Sequence, residues 1–225
     1  MTLIASIETT AKICSSALHV EGQLVATQTL HTEKSHAEWL LCVIEHLLAI
    51  SPYKKEDLSA IAVSSGPGSY TGLRIGASTA KGLCYALEIP LIAVNTLEAM
   101  TYGMQPYNTT QALLCPMLDA RRMEVYYLLA DPHGHVLAPA QPQVIDHHSF
   151  QTWLQDYSIL FFGSGAEKCK PLLSHHDRAL FIDHFYPTAH HIGALAYIKF
   201  QQAAFEDLAC FTPLYLKPFQ GKQIK

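Results

Sequence analysis

The first 30 residues are the part of this 225-residue sequence that most restricts its fold. Two alternating apolar segments, 14–20 and 23–30, flank Glu21-Gly22, and an acidic residue followed by Gly is typical of a two-residue hairpin turn. A third apolar run, residues 3–8, precedes them and is typical of a buried strand. After residue 35 the pattern alternates between helices and strands. Three hairpin strands followed by this alternation predict a mixed sheet covered by helices.

Two halves of similar design are predicted. In the first half, residues 35–50 and 72–87 are predicted helices, and residues 59–64 and 90–95 are predicted strands. In the second half the predicted strands are 112–118, 124–130 and 158–162, with helices following Ser149 and Thr188 as N-caps. The Pro- and His-bearing stretch 132–148 is assigned no regular element. A boundary near residues 103–110 gives two predicted domains, 1–105 and 106–225.

Composition narrows the class of protein. Charged residues make up 15% of the chain, which is low for a soluble domain and suggests that a partner covers part of the surface. A net charge of −4 argues against a broad basic face, so any RNA contact must be local or come through a partner. No C-x-x-C pair occurs, and no segment has the length of a signal peptide core or a membrane span. These features predict a cytoplasmic protein with reduced thiols and no membrane partner.

The most informative motif is Ser64–Gly76, which lies between a predicted strand and a predicted helix. Gly66 and Gly68 permit backbone conformations that other residues avoid, and such a loop can present N–H groups to an anion at a helix N-terminus. It matches neither a Walker A loop nor a G-x-G-x-x-G fingerprint. A tight turn that only starts the helix remains the alternative.

Two helices of the first half carry more small or apolar residues than a one-sided surface helix needs. Gly72, Gly76 and Ala80 recur every four residues in one, and Trp39 and Val43 belong to the apolar surface of the other. Each glycine inside a helix costs about 1 kcal/mol relative to alanine. Either close packing within the domain or an interface with another subunit would offset that cost.

Other clusters leave alternatives open. Asp119, Arg121, Arg122 and Glu124 form a charged strand–turn–strand, which is either a catalytic site or a salt-bridged turn. The segment Gly163-Ser164-Gly165 follows an apolar strand, an arrangement compatible with nucleotide binding. The 13 histidines are interpreted as surface residues, with a structural metal as the alternative.

At these motifs the sequence resembles the bacterial TsaB family, also called YeaZ. The resemblance covers nearly the whole chain, and its most specific stretches are Gly66–Gly76 and Asp119–Tyr126. It implies a two-lobed α/β fold of the actin/Hsp70/sugar-kinase class. It also implies a non-catalytic subunit that pairs with a TsaD-like threonylcarbamoyltransferase, which modifies adenosine 37 of tRNAs reading ANN codons.

The resemblance further implies how such a subunit assembles. TsaB-like proteins pair with TsaD-like subunits through the first-lobe helices and can pair with themselves by the same surface. A TsaE-like ATPase is expected as a third subunit, and tRNA is expected to bind only through the complex. On this sequence the expected interface residues are His36, Trp39, Leu40, Val43, Gly72, Arg74, Gly76, Thr79 and Ala80.

One departure separates this chain from the catalytic relatives. TsaD-like proteins bind a metal through a His-x-x-x-His helix, and the matching positions here are Thr96 and Met100, which do not replace imidazole ligands. No catalytic residue, metal or cofactor is therefore predicted. The alternative is an ATP-using transferase or kinase of the same fold. Its candidate nucleotide loops are Glu8, Thr9, Thr10, Gly66, Gly68, Gly163 and Gly165.

Overall fold

The computed structural model describes residues 1–31 and 36–218, and within them two five-stranded sheets form the framework. The first sheet has the order β3-β2-β1-β4-β5. Its strands are β1 (Leu3–Glu8), β2 (Cys14–Val20), β3 (Gln23–Leu30), β4 (Leu58–Gly66) and β5 (Leu91–Asn95). The first three strands are antiparallel, whereas β4 and β5 run parallel to β1. This is the mixed sheet that the hairpin and the later alternation predict.

The second sheet repeats the same design in the order β10-β9-β6-β7-β8. Its strands are β6 (Leu113–Asp119), β7 (Glu124–Ala130), β8 (Val136–Val144), β9 (Ile159–Phe162) and β10 (Ala179–Ile182). The helices are α1 (His36–Ile50), α2 (Tyr70–Leu87), α3 (Thr96–Met104), α4 (Gln151–Asp156), α5 (Ser164–Leu173) and α6 (Ala189–Gln201). The predicted two-lobed α/β fold is confirmed.

The helices lie in layers on the two sheets. α1 and α2 share one face of the first sheet, where Leu40, Val43 and Ala80 join the core of β1, β2 and β4. α6 covers the opposite face through Ile192 and Ala196. α3 lies between the sheets, and α5 covers the outer face of the second sheet.

Several predictions for the second half need correction. The stretch 132–148 contains strand β8, which forms the sheet edge, where prolines such as Pro139 and Pro142 are tolerated. Strand β10 was not predicted from the sequence. Ser149 does not cap α4, because its hydroxyl hydrogen-bonds Asp146 and the N-cap is Phe150. Thr188 is the N-cap of α6 as predicted, and the proposed cap Ser35 lies outside the described residues.

The end of the chain returns to the first sheet, which differs from the predicted second domain of 106–225. After α6 has packed on the first sheet, Glu206 pairs with Leu91, and Phe211 enters the core beneath α1 and α2. Residues 213–217, called the strap, then run from the first lobe to the second. Leu214 N donates to Ser65 O (2.7 Å), and the Lys217 ammonium pairs with Glu124. The first structural unit is therefore discontinuous in sequence.

Among the described residues, no helix has the length and hydropathy that crossing a bilayer requires.

Candidate functional site

The two nucleotide-loop candidates of the first lobe contact each other directly. Ser69 N donates to Thr10 O at 2.7 Å. A Cβ on Gly68 would lie 2.4 Å from Thr10 Cβ, and a Cβ on Gly66 would lie 2.8 Å from Leu214 O in the strap. These glycines permit close approach of the chain to itself. In a nucleotide-binding loop the N–H groups beside such glycines would face a phosphate. Here the space beside Gly66 and Gly68 is filled by other parts of the same chain.

The glycines at the start of α2 have the same explanation. A Cβ on Gly72 would lie 1.9 Å from Thr9 O, and a Cβ on Gly76 would lie 2.5 Å from Thr9 Oγ1. Thr9 Oγ1 also donates to Gly72 O at 2.8 Å. Ala80 is completely buried one turn later. We call this side of α2, formed by Gly72, Gly76 and Ala80, the inner face, and it is closed by the end of β1.

Glu8 ends β1 and is fully buried. Its Oε1 accepts from Thr10 N and Thr10 Oγ1 at 2.5 Å each, while Oε2 has no partner among the described residues. Burial raises the pKa of Glu8 to about 7, against the opposing effect of the Thr10 hydrogen bonds. The carboxyl group therefore belongs to the interior of the first lobe, where both of its oxygens, including the unpartnered Oε2, are closed off from solvent.

The third candidate loop packs on the second sheet. Gly163 has a φ of 97°, and a Cβ there would lie 2.4 Å from Met117 O and 2.6 Å from Met100 Cε. A Cβ on Gly165 would lie 2.8 Å from Met117 Cβ. These glycines let the β9–α5 turn approach β6. Thus the structure brings together two of the three candidate nucleotide loops, Glu8–Thr10 and Gly66–Gly68. The third, Gly163–Gly165, lies apart from them and packs against β6.

The metal site that the resemblance implies for TsaD-like proteins does not fit the matching residues of this chain. Thr96 and Met100 are both fully buried, and Met100 packs with Leu114 and Phe162 between the sheets. A hydroxyl and a thioether in an apolar setting are poor ligands for a hard or borderline metal. Across residues 1–31 and 36–218 no group of three or more His, Cys, Asp or Glu side chains is placed to hold an ion.

The structure divides the expected interface residues into two sets. Leu40 and Val43 lie in the core of the first lobe, as do Gly72, Gly76 and Ala80, so packing within the chain accounts for their small or apolar character. Trp39 and Arg74 are exposed and Thr79 is half-buried. The side chain of His36 lies outside the described residues.

A second, solvent-facing side of the same helices carries apolar groups that the chain does not cover. Leu41 is 50% exposed, Trp39 47% and Tyr85 80%. On α2 this side runs from Arg74 through Ser78 and Gly82 to Tyr85, and a Cβ on Gly82 would meet nothing within 4 Å. We call the exposed residues Trp39, Leu41, Arg74, Ser78, Gly82 and Tyr85 the outer face.

The sequence analysis singled out the two helices that carry the outer face, α1 and α2, but not Ser78 or Tyr85 on them. The spacing of Ser78, Gly82 and Tyr85 follows the same helical period as that of Gly72, Gly76 and Ala80. Periodicity therefore gives two candidate stripes, and only the position of Thr9 identifies the stripe that faces inward.

Arg74 lies where the outer face meets the strap. Its guanidinium lies over the Tyr70 ring, 4.4 Å from the centroid, and Tyr215 packs against Tyr70 with 5.0 Å between ring centroids. A hydrogen bond with the Tyr215 side chain raises the pKa of Arg74. The start of α2 is thereby joined to the strap through aromatic and cationic side chains.

Comparisons with known proteins agree with this architecture. The TsaD family, described as tRNA N6-adenosine threonylcarbamoyltransferase, matches residues 23–225. Bacillus subtilis tRNA threonylcarbamoyladenosine biosynthesis protein TsaB is 32% identical over 178 residues, which cover 77% of this chain and 75% of that protein. The Escherichia coli protein of the same name is 36% identical over 124 residues, and that match spans 53% of its length.

Solved structures show the same fold. A Pseudomonas aeruginosa protein described as similar to peptidase YeaZ superposes with a TM-score of 0.85 over 96% of this chain and 100% of its own, at 22% identity. YeaZ from the same organism gives a TM-score of 0.81. At this identity the solved structures show the shared fold, and the sequence matches identify the family. The chain belongs to the TsaD family and, within it, to the TsaB (YeaZ) proteins.

Proposed function

We propose that this chain takes part in tRNA threonylcarbamoyladenosine biosynthesis as a non-catalytic subunit that pairs with a TsaD-like threonylcarbamoyltransferase. The reaction served is N6-threonylcarbamoylation of adenosine 37 in tRNAs reading ANN codons, in the cytoplasm. The observation that carries the proposal is the outer face of α1 and α2, where Trp39 is 47%, Leu41 50% and Tyr85 80% exposed. The biosynthetic role follows the names of the relatives.

The outer face has the chemistry of a helix-packing interface. Trp and Tyr supply large contact areas with few rotatable bonds and are enriched at interface centres. Between them on α2, Ser78 and Gly82 leave a shallow surface that a helix of another subunit can approach closely. Burying a large apolar side chain contributes roughly 1.5–3 kcal/mol to the free energy of association. Covering Trp39 and Tyr85 would therefore stabilise a complex with a partner.

The absence of a catalytic role rests on residues of this chain. Thr96 and Met100 offer no imidazole at the positions where the resemblance places metal ligands. An ATP-using transferase or kinase, the alternative function, needs its phosphate loops open. Here Gly68 lies against Thr10 and Gly66 against the strap. The partner is accordingly proposed to supply the catalytic centre.

The same face also accommodates a second copy of this chain, so homodimer and heterodimer compete for one surface. A TsaE-like ATPase is proposed as a third subunit. Because the homodimer buries the same residues, adding the TsaD-like subunit should convert homodimer to heterodimer.

The test is pairing and reconstitution. Purified chain alone should form no threonylcarbamoyladenosine, and it should restore activity to a TsaD-like subunit supplied with the third subunit and a source of threonylcarbamoyl-adenylate. The double variant Trp39→Ala/Tyr85→Ala should weaken pairing by at least about 100-fold in calorimetry, since each hot-spot aromatic contributes about 2 kcal/mol.

The matched control is Tyr157→Ala, which removes an aromatic ring that is 51% exposed at the end of α4 in the other lobe. It should pair normally. Pairing of the double variant at the wild-type affinity, or modification of tRNA by the chain alone, would contradict the proposal.

A further inference from the structure

The turn between β6 and β7 holds two arginines in an unfavourable backbone conformation. Arg121 has a φ of 68° and Arg122 a φ of 51°, and Glu124 N donates to Arg121 O at 3.2 Å. A residue with a Cβ is strained at positive φ, and hairpin loops therefore favour Gly, Asn or Asp at such positions. Two consecutive arginines in this region cost roughly 1 kcal/mol or more each. Folding alone gives no reason to keep them there.

Both guanidinium groups are exposed, and neither makes a hydrogen bond or ion pair within residues 1–31 and 36–218. The carboxylates nearest to the turn are already neutralised. Asp119 pairs with Lys168, whose ammonium also donates to Glu124 O at 2.6 Å, and Glu124 pairs with Lys217 of the strap. The two positive charges of the turn are therefore uncompensated and face solvent.

The strap extends this positive region towards α2. Two residues before Lys217, Tyr215 packs on Tyr70 and hydrogen-bonds Arg74. We call Arg74, Tyr215, Arg121 and Arg122 the basic patch; Lys217 links them through the strap, and its own charge is offset by Glu124. Its cations lie on either side of one partly exposed aromatic ring, that of Tyr215, on a chain whose net charge is −4. Such a local concentration of positive charge is the pattern of a phosphate-binding surface.

We infer that the basic patch binds the phosphate backbone of RNA, with the paired arginines as its main contacts. Arginine binds phosphate in a two-pronged geometry, and exposed tyrosine rings provide platforms for unpaired bases. The inference rests on the proposed function for the identity of the RNA, which is tRNA. It goes beyond the proposed function, and departs from the expectation that tRNA binds only through the complex, because this chain, which contributes no catalytic group, holds the tRNA directly.

The position of the patch supports this role. Arg74 belongs both to the patch and to the outer face, so the patch borders the surface proposed for the TsaD-like subunit. An RNA bound across the two subunits can therefore touch the partner and the β6–β7 turn together. The patch would add affinity without reading sequence, as phosphate contacts do.

The experiment uses the double variant Arg121→Gly/Arg122→Gly. Glycine is comfortable at positive φ, so the variant should melt at the same or a higher temperature than the wild type. Binding of tRNA to the full-length chain is measured by fluorescence anisotropy from about 50 to 200 mM salt, the range over which phosphate contacts lose affinity most clearly. We expect at least about fivefold weaker binding at the low-salt end. The slope of log K against log salt should become shallower by about 1.5, as expected for two lost contacts.

The control Lys54→Gln/Lys55→Gln removes the same charge from exposed residues before β4, at the other end of that strand from Gly66. It should bind tRNA like the wild type. Equal affinity of the glycine variant and the wild type would overturn the inference, and so would an equal loss in both variants, which would report net charge alone.

Pairing with the TsaD-like subunit is measured separately for the same proteins. The glycine variant should pair normally, since the turn lies on the second sheet. Failure of the wild type to pair would overturn the proposed function, while the comparison of tRNA binding by the isolated chain would still decide the role of the turn.

Discussion

The inner and outer faces of α2 are built from similar residues and have opposite environments. Gly72, Gly76 and Ala80 on the inner face lie against the end of β1, with Thr9 atoms in the space that a Cβ on either glycine would occupy. On the outer face, Gly82 has open space and Tyr85 is almost fully exposed. The comparison shows that a small residue in a helix indicates close approach but not the identity of the approaching group. Inside, it is the chain itself; outside, we propose another subunit.

The largest effect should come from filling the inner face. Gly72→Ala places a Cβ 1.9 Å from Thr9 O, a backbone atom that cannot move aside as a flexible side chain can. We expect a loss of about 4 kcal/mol in the free energy of unfolding, or failure to fold, because overpacking against backbone lies at the severe end of core substitutions. Denaturant unfolding measures it. A loss below about 1 kcal/mol would mean that the inner face is not closed.

The next effect concerns the buried carboxyl of Glu8 beside the inner face. Its pKa is about 7 in the folded chain against 4.5 for an ordinary Glu, so its stabilising contribution is complete below pH 4.5 and is lost as pH rises through 7. The shift corresponds to about 3 kcal/mol at pH 8. Glu8→Gln, which keeps an acceptor for Thr10, should remove this pH dependence. If the unfolding free energies of variant and wild type changed by the same amount between pH 4.5 and 8, this account of Glu8 would be wrong.

The outer face should respond in binding and not in folding. Gly82→Arg points a long cation into open space on a helix where arginine has good propensity, so the monomer should keep its thermal stability. Pairing with a TsaD-like subunit should weaken by about 100-fold, or about 2.7 kcal/mol, in calorimetry. Undiminished pairing would show that the partner does not use this face.

The smallest expected effect is a gain in stability from filling the open space on the outer face of α2. Gly82→Ala should stabilise the isolated chain by up to about 1 kcal/mol, because alanine is the better helix former and its Cβ meets nothing within 4 Å. The measurement is the free energy of unfolding of Gly82→Ala by chemical denaturation, compared with that of Gly72→Ala. Destabilisation at Gly82 would indicate that the two faces do not differ.

The sequence was sufficient for the elements of the first sheet. The predicted strands 3–8, 14–20 and 23–30 coincide with β1, β2 and β3, since local alternation and the Glu21-Gly22 turn specify them. The helix predicted over 72–87 begins two residues earlier, at Tyr70, because Ser69 caps it by accepting from Gly72 N.

Contacts between residues far apart in the chain could not be predicted from the sequence. The contact that closes the inner face joins Thr9 to Gly72, 63 residues apart, and no local pattern specifies such a pair. The return of Phe211 to the first core is likewise a long-range contact. The strain at Arg121 and Arg122 could not be predicted, because arginine carries no preference for a positive φ.

The path of the chain end has a consequence for synthesis on the ribosome. Domains are usually completed in the order in which they are translated. Here strands β1–β3 are fully covered only once α6 and Phe211 have been translated, more than 150 residues later, and the Lys81 ammonium donates to Ala209 O and Phe211 O in that later segment. A nascent chain that stops before residue 189 would lack α6, Phe211 and the strap, leaving both sides of the first sheet incompletely covered. Termination of translation ahead of α6 should therefore produce a target for chaperones and proteases and not a shortened folded protein.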